Sequence, residues 1–328
     1  MAQTPFDVLT KVAQGFVASS CVYAVAQAGI ADALDDTPRT AQDLAAATGT
    51  NAGALSRILR VLCAEGVFET RSSGYVHTPA SCLLRKDHPQ SVRGYVLSVM
   101  PIFWEPFSRI SYSLATGKPA FEQLHPDGLF KFLTQRPETA RLFDDAMTGK
   151  AHGQVAGTVA HYDFSRFGTI ADIGGGRGHL LQAVLQAAPN ARGILFDLPN
   201  VIEAAKGVAS ERLKLQAGDF FKDAMPAADA YMIMQVIHDW ADADATTILT
   251  GVRKAAPAHA KLLLIELLVP ETPERDWAKE IDLFMLVFLH SRERTRSEYQ
   301  QLLAGSGFRL DNVIDIGQST AILEATPI

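Results

Sequence analysis

The sequence predicts an α/β fold with a doubly wound, mostly parallel sheet, preceded by a helical region. After Phe164, apolar runs typical of buried strands alternate with helical runs. The predicted strand segments "GTIADIGGG", "RGILFDLP", "LKLQAGDFF", "DAYMIMQVIHDW" and "KLLLIELLVP" contain apolar runs, as expected of strands that helices cover on both faces. Two closing runs, "RLDNVIDIG" and "TAILEAT", predict a final antiparallel pair. In such sheets we expect ligands beyond the carboxyl ends of the strands.

The region from about residue 5 to residue 90 is predicted to be mostly helical and to contain a winged-helix pattern. Thr40 to Asp43 is an N-cap signature, a second helix follows from Ala52 to Gly66, and "VFETRSSGYVHT" predicts a hairpin. The first helix is so apolar that we expect it to be buried or to lie at a subunit interface. We therefore divide the chain into three parts, residues 1–95, 96–160 and 161–328.

A winged-helix pattern also raises the alternative of DNA binding, with Arg57, Arg60 and Arg71 on phosphates. The second helix has only two basic residues, and its later turns carry no Asn or Gln to contact base edges. The formal net charge of −6 gives no general basic field for nucleic acid. We favour a packing module.

Composition favours an intracellular globular protein. The chain has 328 residues, 48% of them apolar, which is ample for two domains. No uninterrupted apolar segment reaches about 18 residues, so we expect no membrane span. The N-terminus lacks a basic start followed by an apolar core, so we also expect no secretion signal. The three cysteines are scattered without a CxxC motif, as expected of reduced thiols in the cytoplasm.

The loop "IADIGGGRGHL" follows the first strand of the α/β region and indicates a ligand site. It fails the dinucleotide fingerprint G-x-G-x-x-G, because His179 stands at the last position, and NAD is disfavoured. Asp172 precedes the glycines, while Asp197 and Asp219 are predicted to end the next two strands, with Phe220 placed to cover a ring. Three carboxylates suit a nucleoside without phosphates, and an adenosyl group on a cationic sulfonium fits best. The alternative is that these residues are helix N-caps.

Five motifs, "DIGGGRGHLL", "FDLPNVI", "GDFF", "VIHDWAD" and "RERTRSEYQQLLAGSGF", occur in an order that resembles a known family. They are similar to the S-adenosylmethionine-dependent O-methyltransferases of the plant caffeic-acid type and their bacterial relatives. The resemblance covers nearly the whole chain. It implies a Rossmann-like methyltransferase sheet, a winged-helix-like dimerisation region at 1–95 and a helical substrate-pocket region at 96–160. It further implies S-adenosyl-L-methionine as cofactor, no metal, a small aromatic substrate and a homodimer.

The same resemblance implies three sets of site residues. The catalytic set is His238 as general base, flanked by Glu266 and Glu293. The cofactor set is Asp172, Gly174, Gly176, Asp197, Leu198, Asp219, Phe220, Gln235 and Trp240. The substrate set is Phe103, Trp104, Phe143, Met147, Asp239 and Met285. Two departures from the plant pattern are Met234, which replaces a lysine near the cofactor, and His290, in a shortened loop.

Methyl transfer from a sulfonium is an in-line displacement, so the site must align the reacting atoms and exclude water. A hydroxyl acceptor must also lose its proton, and His238 would remove it as the acceptor approaches. The spacing of the other histidines suggests no metal site. N- or C-methylation on the same scaffold is the close alternative, and a ligand-responsive DNA-binding regulator is the alternative of another class.

Overall fold

The computed structural model describes residues 4–71, 74–98 and 100–328, without the side chains of residues 98, 142 and 144–150. Contacts between residues group the chain into two compact units. Unit 1 comprises Met1–Glu105 and Leu133–Ala146, and unit 2 comprises Pro106–Phe132 and Met147–Ile328. The three-part division expected from the sequence stays a prediction.

Unit 1 is mainly helical. Its helices are α1 Pro5–Ala13, α2 Gly15–Ala28, α3 Ile30–Ala33, α4 Ala41–Thr48, α5 Ala52–Ala64, α6 Pro79–Cys82 and α7 Arg93–Ser98. Strands β1 Phe68–Arg71 and β2 Gly74–His77 pair antiparallel, as predicted. The turn residues Ser72 and Ser73 lie outside the described residues. Four helices follow along the chain: α8 Met100–Ser108, α9 Ile110–Thr116, α10 Gly128–Thr134 and α11 Pro137–His161.

The local signals in unit 1 explain where its helices begin and end. Thr40 accepts from the Asp43 N–H while the Asp43 carboxylate accepts from the Thr40 N–H, so the predicted cap of α4 is confirmed. The expected single first helix is wrong, because the chain breaks at Gln14 and again at Gly29, whose φ is +70°. On α5, apolar residues spaced by four and three positions point into the core, and Leu59 is fully buried.

The N-terminal segment Pro5–Ala28 does not agree with the expectation that the chain has no apolar segment long enough to span a membrane. By length and composition alone, this 24-residue segment is apolar enough to cross a membrane. An 18-residue window within it has a mean hydropathy of 1.3. An averaged window tolerates the interspersed polar residues that interrupt an apolar run. Only 6% of that window is buried within the chain, so a broad apolar surface faces outward.

Unit 2 carries the α/β sheet. Its strands are β3 Thr169–Ile173, β4 Arg192–Asp197, β5 Leu213–Ala217, β6 Ala230–Met234, β7 Lys261–Val269, β8 Arg294–Thr295, β9 Phe308–Gly317 and β10 Thr320–Pro327. Its further helices are α12 His179–Ala187, α13 Pro199–Ala204, α14 Asp242–Ala255, α15 Trp277–Phe288 and α16 Arg296–Gly305. The capping box predicted at Thr295 and Glu298 is confirmed at the start of α16.

The main path of the sheet has the order β5-β4-β3-β6-β7-β10-β9. The pairs from β5 through β7 are parallel, whereas β10 is antiparallel to both β7 and β9, so the predicted closing pair is confirmed. The two-residue strand β8, which the sequence did not predict, pairs parallel with the end of β7. Strand order reverses between β3 and β6, and that switch point is where a ligand is expected. It brings together the glycine loop after β3 and the His238 turn after β6.

Candidate functional site

The glycine loop between β3 and α12 is shaped by backbone conformations that favour glycine. Gly174 and Gly176 have φ values of +68° and +58°. A Cβ added to Gly175 would lie 2.4 Å from the Asp172 carboxyl carbon, so no side chain fits there. The loop borders a cavity of about 240 Å³, which Met234 and Arg177 also line. The loop therefore leaves space for a ligand beside its backbone.

Asp172 lies inside β3, one residue before the strand ends, and only 1% of it is exposed. Its Oδ2 has no hydrogen-bond partner among the residues that the structure describes. Burial, and then the neighbouring charge of Asp197, raises the pKa of Asp172 to about 7. A buried carboxylate oxygen without a partner is costly. Since Asp172 lines the same cavity, a cationic group of a ligand would relieve that cost.

Asp197 ends β4, as predicted, and its carboxylate is held against the glycine loop. Its Oδ2 accepts from the Gly176 N–H at 2.8 Å, and its Oδ1 accepts from the Leu198 N–H at 2.7 Å. Each oxygen retains a lone pair for a further donor. Leu198 itself is 45% exposed. The two predicted cofactor residues Gly176 and Asp197 are thus brought together.

Asp219 follows β5 by two residues and is engaged within its own turn. Its Oδ1 accepts from the Phe221 N–H at 2.9 Å, and its Oδ2 accepts from Lys222 Nζ at 2.8 Å. Hydrogen bonds from Lys222, and then from the Phe221 N–H, lower the pKa of Asp219. No helix begins between β5 and β6, where every residue is described, so these contacts hold a turn and do not cap a helix. The predicted place of Asp219 at the strand end is also wrong, because β5 stops at Ala217. An adenine contact stays a prediction. Next to it, Phe220 packs edge-on against Trp240 at 5.9 Å between ring centroids.

His238 does not extend β6 directly, so its expected place at a strand end is wrong. The strand stops at Met234, and Gln235 adopts a left-handed φ of +53°, which is rare for a residue with a side chain. A single 3₁₀ turn, Ile237–Asp239, then carries the imidazole. The side chain is nearly buried, with 12% of it exposed. The chain thus turns sharply before it presents His238.

The imidazole is held by Glu293. His238 Nδ1 and Glu293 Oε1 lie 2.9 Å apart, while His238 Nε2 lies 3.5 Å from an oxygen of Asp239. Burial alone would lower the pKa of His238. The charge of Glu266 and the hydrogen bond that His238 donates to Glu293 outweigh burial and raise the pKa of His238 to about 9. The arrangement fixes one ring nitrogen and stabilises the imidazolium.

Glu266 is fully buried on β7, and it holds the backbone of the turn. Its Oε1 accepts from the N–H groups of Val236 and Ile237 at 3.2 and 2.9 Å, and its Oε2 accepts from Gln235 Nε2 at 3.2 Å. Burial raises its pKa, and the charge of Glu293 raises it further, while His238 opposes both. The sequence left open which glutamate fixes the imidazole. The imidazole Nδ1–H donates to Glu293, and Glu266 acts through the backbone and its charge.

The same three side chains form a group that could hold a metal ion. One ligand atom from each of His238, Glu266 and Glu293 lies within 4.8 Å of the others, and all three residues are buried. The Glu293 Oε2 atom has no hydrogen-bond partner among the described residues. The spacing is compatible with a cation, although the oxygens of Glu266 already bind three N–H donors. The absence of a metal stays an expectation.

The predicted substrate residues fall into both units. Met285 is buried on α15 of unit 2, and Asp239 lies beside His238. In unit 1, Trp104 packs edge-on against Tyr23 at 5.1 Å. The other predicted residues of unit 1 are Phe103, which lies 6.5 Å from the Tyr95 ring, and Phe143, which is half-buried. The side chain of Met147 lies outside the described residues. The substrate role of this set stays a prediction.

Sequence reasoning missed two residues that contact the site. Arg294, 1% exposed, donates to the backbone of the His238 turn, and Asp282 accepts from the Glu293 N–H at 3.0 Å. A buried arginine carries no local sequence pattern. The position of Arg294 directly after Glu293 was the one available signal.

A glycine loop with acidic neighbours at a switch point, beside a buried His–Glu pair, is the arrangement expected of a group-transfer enzyme with a nucleoside cofactor. Sequence comparison identifies that enzyme. The chain belongs to the O-methyltransferase family: residues 107–309 match its O-methyltransferase domain and residues 10–87 match its dimerisation domain.

The relatives support this assignment over nearly the whole chain. Phenazine O-methyltransferase PhzM of Lysobacter antibioticus is 38% identical, covering 98% of this chain and 96% of that protein. The 8-amino-8-demethylriboflavin N,N-dimethyltransferase of Streptomyces davaonensis is 39% identical, covering 92% and 90%. The crystal structure of CalO1, a methyltransferase in calicheamicin biosynthesis with S-adenosylhomocysteine bound, has a TM-score of 0.85, with 32% identity and full coverage of both chains.

These matches confirm the predicted family and the Rossmann-like methyltransferase fold. The protein is an S-adenosylmethionine-dependent methyltransferase, and its cofactor is S-adenosyl-L-methionine. The residues around the glycine loop fit that cofactor, because the orphan oxygen of Asp172 can accept from a cationic group and Asp197 retains acceptor capacity.

Proposed function

We propose that this methyltransferase methylates a hydroxyl group of a small aromatic secondary metabolite, with His238 as the general base. The hydrogen bond between His238 Nδ1 and Glu293 Oε1, at 2.9 Å, carries the proposal. A carboxylate that engages one ring nitrogen fixes the tautomer and leaves Nε2 as the proton acceptor. The relatives named as O-methyltransferases, among them the phenazine enzyme, point to the same acceptor chemistry.

The residues would divide the work between binding and proton removal. Asp197 would hold the ribose, Asp219 the adenine, and Asp172 a cationic part of the cofactor. S-adenosyl-L-methionine supplies a methyl group on a cationic sulfur. His238 would take the acceptor proton at Nε2 as the hydroxyl oxygen approaches the methyl group. A phenol has a pKa of about 10 and an ordinary imidazole about 6.5, so a raised pKa makes His238 a better-matched base.

The two glutamates would serve His238 in different ways. Glu293 orients the ring and stabilises the imidazolium through a charge-assisted hydrogen bond. Glu266 adds a second negative charge and fixes the turn through two backbone N–H groups. Burial keeps water from competing for the same contacts, since both carboxylates are 1% exposed or less.

The variant His238→Ala tests the base directly. We expect kcat to fall by at least about 100-fold, while the affinity for S-adenosylhomocysteine, measured by calorimetry, stays the same. His259→Ala is a suitable control, because His259 is an exposed histidine paired with Asp229 and should leave kcat unchanged. Full activity of His238→Ala on a phenolic acceptor would reject the proposed base.

N-methylation of an aromatic heterocycle is the second candidate. It is favoured by the 39% identity to a relative named as an N,N-dimethyltransferase. An aromatic amine attacks through a lone pair and needs no prior loss of a proton, so His238→Ala should cost much less on such an acceptor. A panel of matched phenols and N-heteroaromatics, assayed with cofactor labelled in its methyl group, separates the two candidates.

The acceptor would be held by the set predicted from the sequence: Phe103, Trp104, Phe143, Met147, Asp239 and Met285. Met285→Ala is the most direct test, because this buried residue belongs to the unit that carries His238. We expect the KM for the acceptor to rise while the affinity for S-adenosylhomocysteine stays unchanged. An unchanged KM would remove Met285 from the set.

The DNA-binding alternative receives no support from these relatives, which are methyltransferases by name. Binding to duplex DNA would depend steeply on salt, because lysines and arginines would release counterions from the phosphates. Tight, salt-dependent binding of the protein to a DNA duplex of random sequence would support this alternative. The absence of such binding would reject it.

We further propose that the protein acts as a homodimer in the cytoplasm. The dimerisation match covers residues 10–87, and α1 exposes Phe6, Leu9 and Val12 at 70% or more. Such a patch marks an interaction surface. Light scattering should give twice the chain mass, and the double variant Leu9→Glu, Val12→Glu should give the single mass. Co-sedimentation of the wild type with lipid vesicles would instead assign the patch to a membrane.

A further inference from the structure

We propose that Arg294 is a positioning residue that holds the His238 turn against Glu293. It belongs to none of the sets of catalytic, cofactor or substrate residues given above. The inference rests on the proposed role of His238. It concerns how a one-turn segment that follows a broken strand keeps its imidazole in place.

The guanidinium of Arg294 bonds to both sides of the turn. Its Nη1 donates to the Ile237 carbonyl at 3.1 Å, and its Nη2 donates to the Trp240 carbonyl at 2.8 Å. These two residues immediately flank the pair His238–Asp239. Nε and Nη2 also donate to Asp242 Oδ1, at 3.0 and 2.7 Å, where α14 begins. One rigid group thus brackets the segment that carries the imidazole.

Among the residues that the structure describes, the turn has few backbone hydrogen bonds of its own. Within it, the Asp239 N–H donates to the Val236 carbonyl and the Trp240 N–H donates to the Ile237 carbonyl. A single 3₁₀ turn has poorer hydrogen-bond geometry than an α-helix and is short by nature. The segment therefore depends on partners from elsewhere in the chain.

Those partners come from β7 and β8 and carry opposite charges. Glu266 on β7 accepts from the N–H groups of Val236 and Ile237. Arg294 on β8 donates to the carbonyls of Ile237 and Trp240. The carboxylate thus meets backbone donors and the guanidinium meets backbone acceptors, and both kinds of charge-assisted hydrogen bond act on Ile237. The strands are fixed to each other, because Arg294 pairs with Leu268, two residues after Glu266.

Arg294 also sets the distance between Glu293 and the imidazole. Three consecutive residues contact the turn: the Arg292 N–H donates to the His238 carbonyl at 3.1 Å, Glu293 binds Nδ1, and Arg294 binds the flanking carbonyls. A shift of β8 away from the turn would break these contacts together. Displacements of about 1 Å in a catalytic group can cost about 100-fold in rate.

The contacts require an arginine. Two carbonyls and one carboxylate are reached by a planar group with several donors in fixed directions, which a lysine ammonium cannot reproduce. Arg294 is 1% exposed, whereas the side chain of Asp242 is 64% exposed, so the ion pair reaches solvent only on the aspartate side. A lysine would retain the charge and lose the geometry.

Arg294→Lys is therefore the test, with Arg253→Lys as a matched control. Arg253 also donates to backbone carbonyls, those of Gly307 and Ile328, but lies outside the turn. We expect Arg294→Lys to lower kcat by about 100-fold with unchanged affinity for S-adenosylhomocysteine. NMR titration should show that the pKa of His238 falls, because Glu293 no longer contacts it. In Arg253→Lys both kcat and that pKa should match the wild type.

A general loss of stability would not move the pKa of His238 in the folded protein, so the titration separates positioning from folding. If kcat and the pKa of His238 are unchanged in folded Arg294→Lys, the inference is overturned, whatever His238→Ala does. If His238→Ala is fully active, the proposed base fails, and the titration alone decides whether Arg294 holds the turn.

Should Arg294→Lys not fold, Asp242→Asn replaces it, because this exposed side chain orients the guanidinium without filling the core. A smaller fall of the pKa of His238 in Asp242→Asn supports the inference, and an unchanged pKa overturns it.

Discussion

Replacing Glu293 by Gln removes the charge beside the imidazole and keeps the shape of the side chain. The amide oxygen can still accept from His238 Nδ1, but the negative charge that lies 2.9 Å from the ring is lost. An opposite charge within about 4–6 Å changes a pKa by about 1–3 units, equivalent to about 1.4–4 kcal/mol. The pKa of His238, which is raised to about 9 in the wild type, should therefore fall in Glu293→Gln.

The sign of the effect on activity follows from the role of a base. A general base must be neutral, so the wild-type kcat/KM should rise with pH up to about the pKa of His238. In Glu293→Gln the midpoint of that rise should move to lower pH by about 1–3 units. The plateau should also fall, because the imidazolium that forms during the reaction loses its stabilising partner.

The assay is the pH profile of kcat/KM between about pH 5.5 and 10, with an acceptor whose own pKa lies above that window. NMR titration of His238 in the same variant gives the pKa independently of the chemistry. Glu280→Gln serves as control, because Glu280 is an exposed glutamate paired with Arg275, and its profile should match the wild type. A midpoint that stays in place or moves to higher pH in Glu293→Gln would refute the reasoning.

Three further predictions concern the cofactor side of the site and its metal content. Asp172→Asn should stabilise the protein without cofactor at pH 8. The folded-state pKa of about 7 exceeds the ordinary 3.8, so the wild type loses up to roughly 4 kcal/mol of stability as pH rises through that window. Asp197→Asn should weaken S-adenosylhomocysteine binding by about tenfold or more, because charged hydrogen bonds contribute about 1.5–3 kcal/mol. Treatment with EDTA followed by dialysis should leave activity unchanged.

Each of these outcomes has a simple counter-result. Thermal unfolding at pH 4 should show no advantage for Asp172→Asn, and an equal advantage at pH 4 and pH 8 would rule out ionisation as its cause. Calorimetry on Asp197→Asn that returns the wild-type affinity would remove this residue from the cofactor set. A loss of activity in EDTA that Zn²⁺ or Mg²⁺ restores would assign the His–Glu–Glu cluster to a metal.

The sequence predicted the parts of the fold that depend on local patterns. Apolar strands alternating with helices gave the parallel sheet, and the closing antiparallel pair and the capping box at Thr295 were also foreseen. Asp197 at the end of β4 was placed correctly for the same reason, because a strand end is visible in the sequence. Candidate residues around the switch point could therefore be identified from the order of the predicted strands along the chain.

What the sequence could not predict depends on contacts between distant segments. "YMIMQVIHDW" reads as one apolar strand, yet it breaks at Gln235, because the N–H groups that follow are bound by Glu266, 29 and 30 residues away. Strand β8 has only two residues and exists because β7 offers it a partner. The choice between Glu266 and Glu293 as the partner of the imidazole was likewise set by tertiary packing.

The contacts that hold the His238 turn predict how the activity of the enzyme changes on heating. Strands β3, β6 and β7 open only when the sheet loses its ladder of hydrogen bonds, whereas the turn is fixed by a few side-chain contacts from Glu266 and Arg294. Segments of this kind open locally at a lower free energy than global unfolding. On warming, turnover should therefore decline reversibly several degrees before the sheet melts, and a protein that still looks folded by circular dichroism would already be a poorer catalyst.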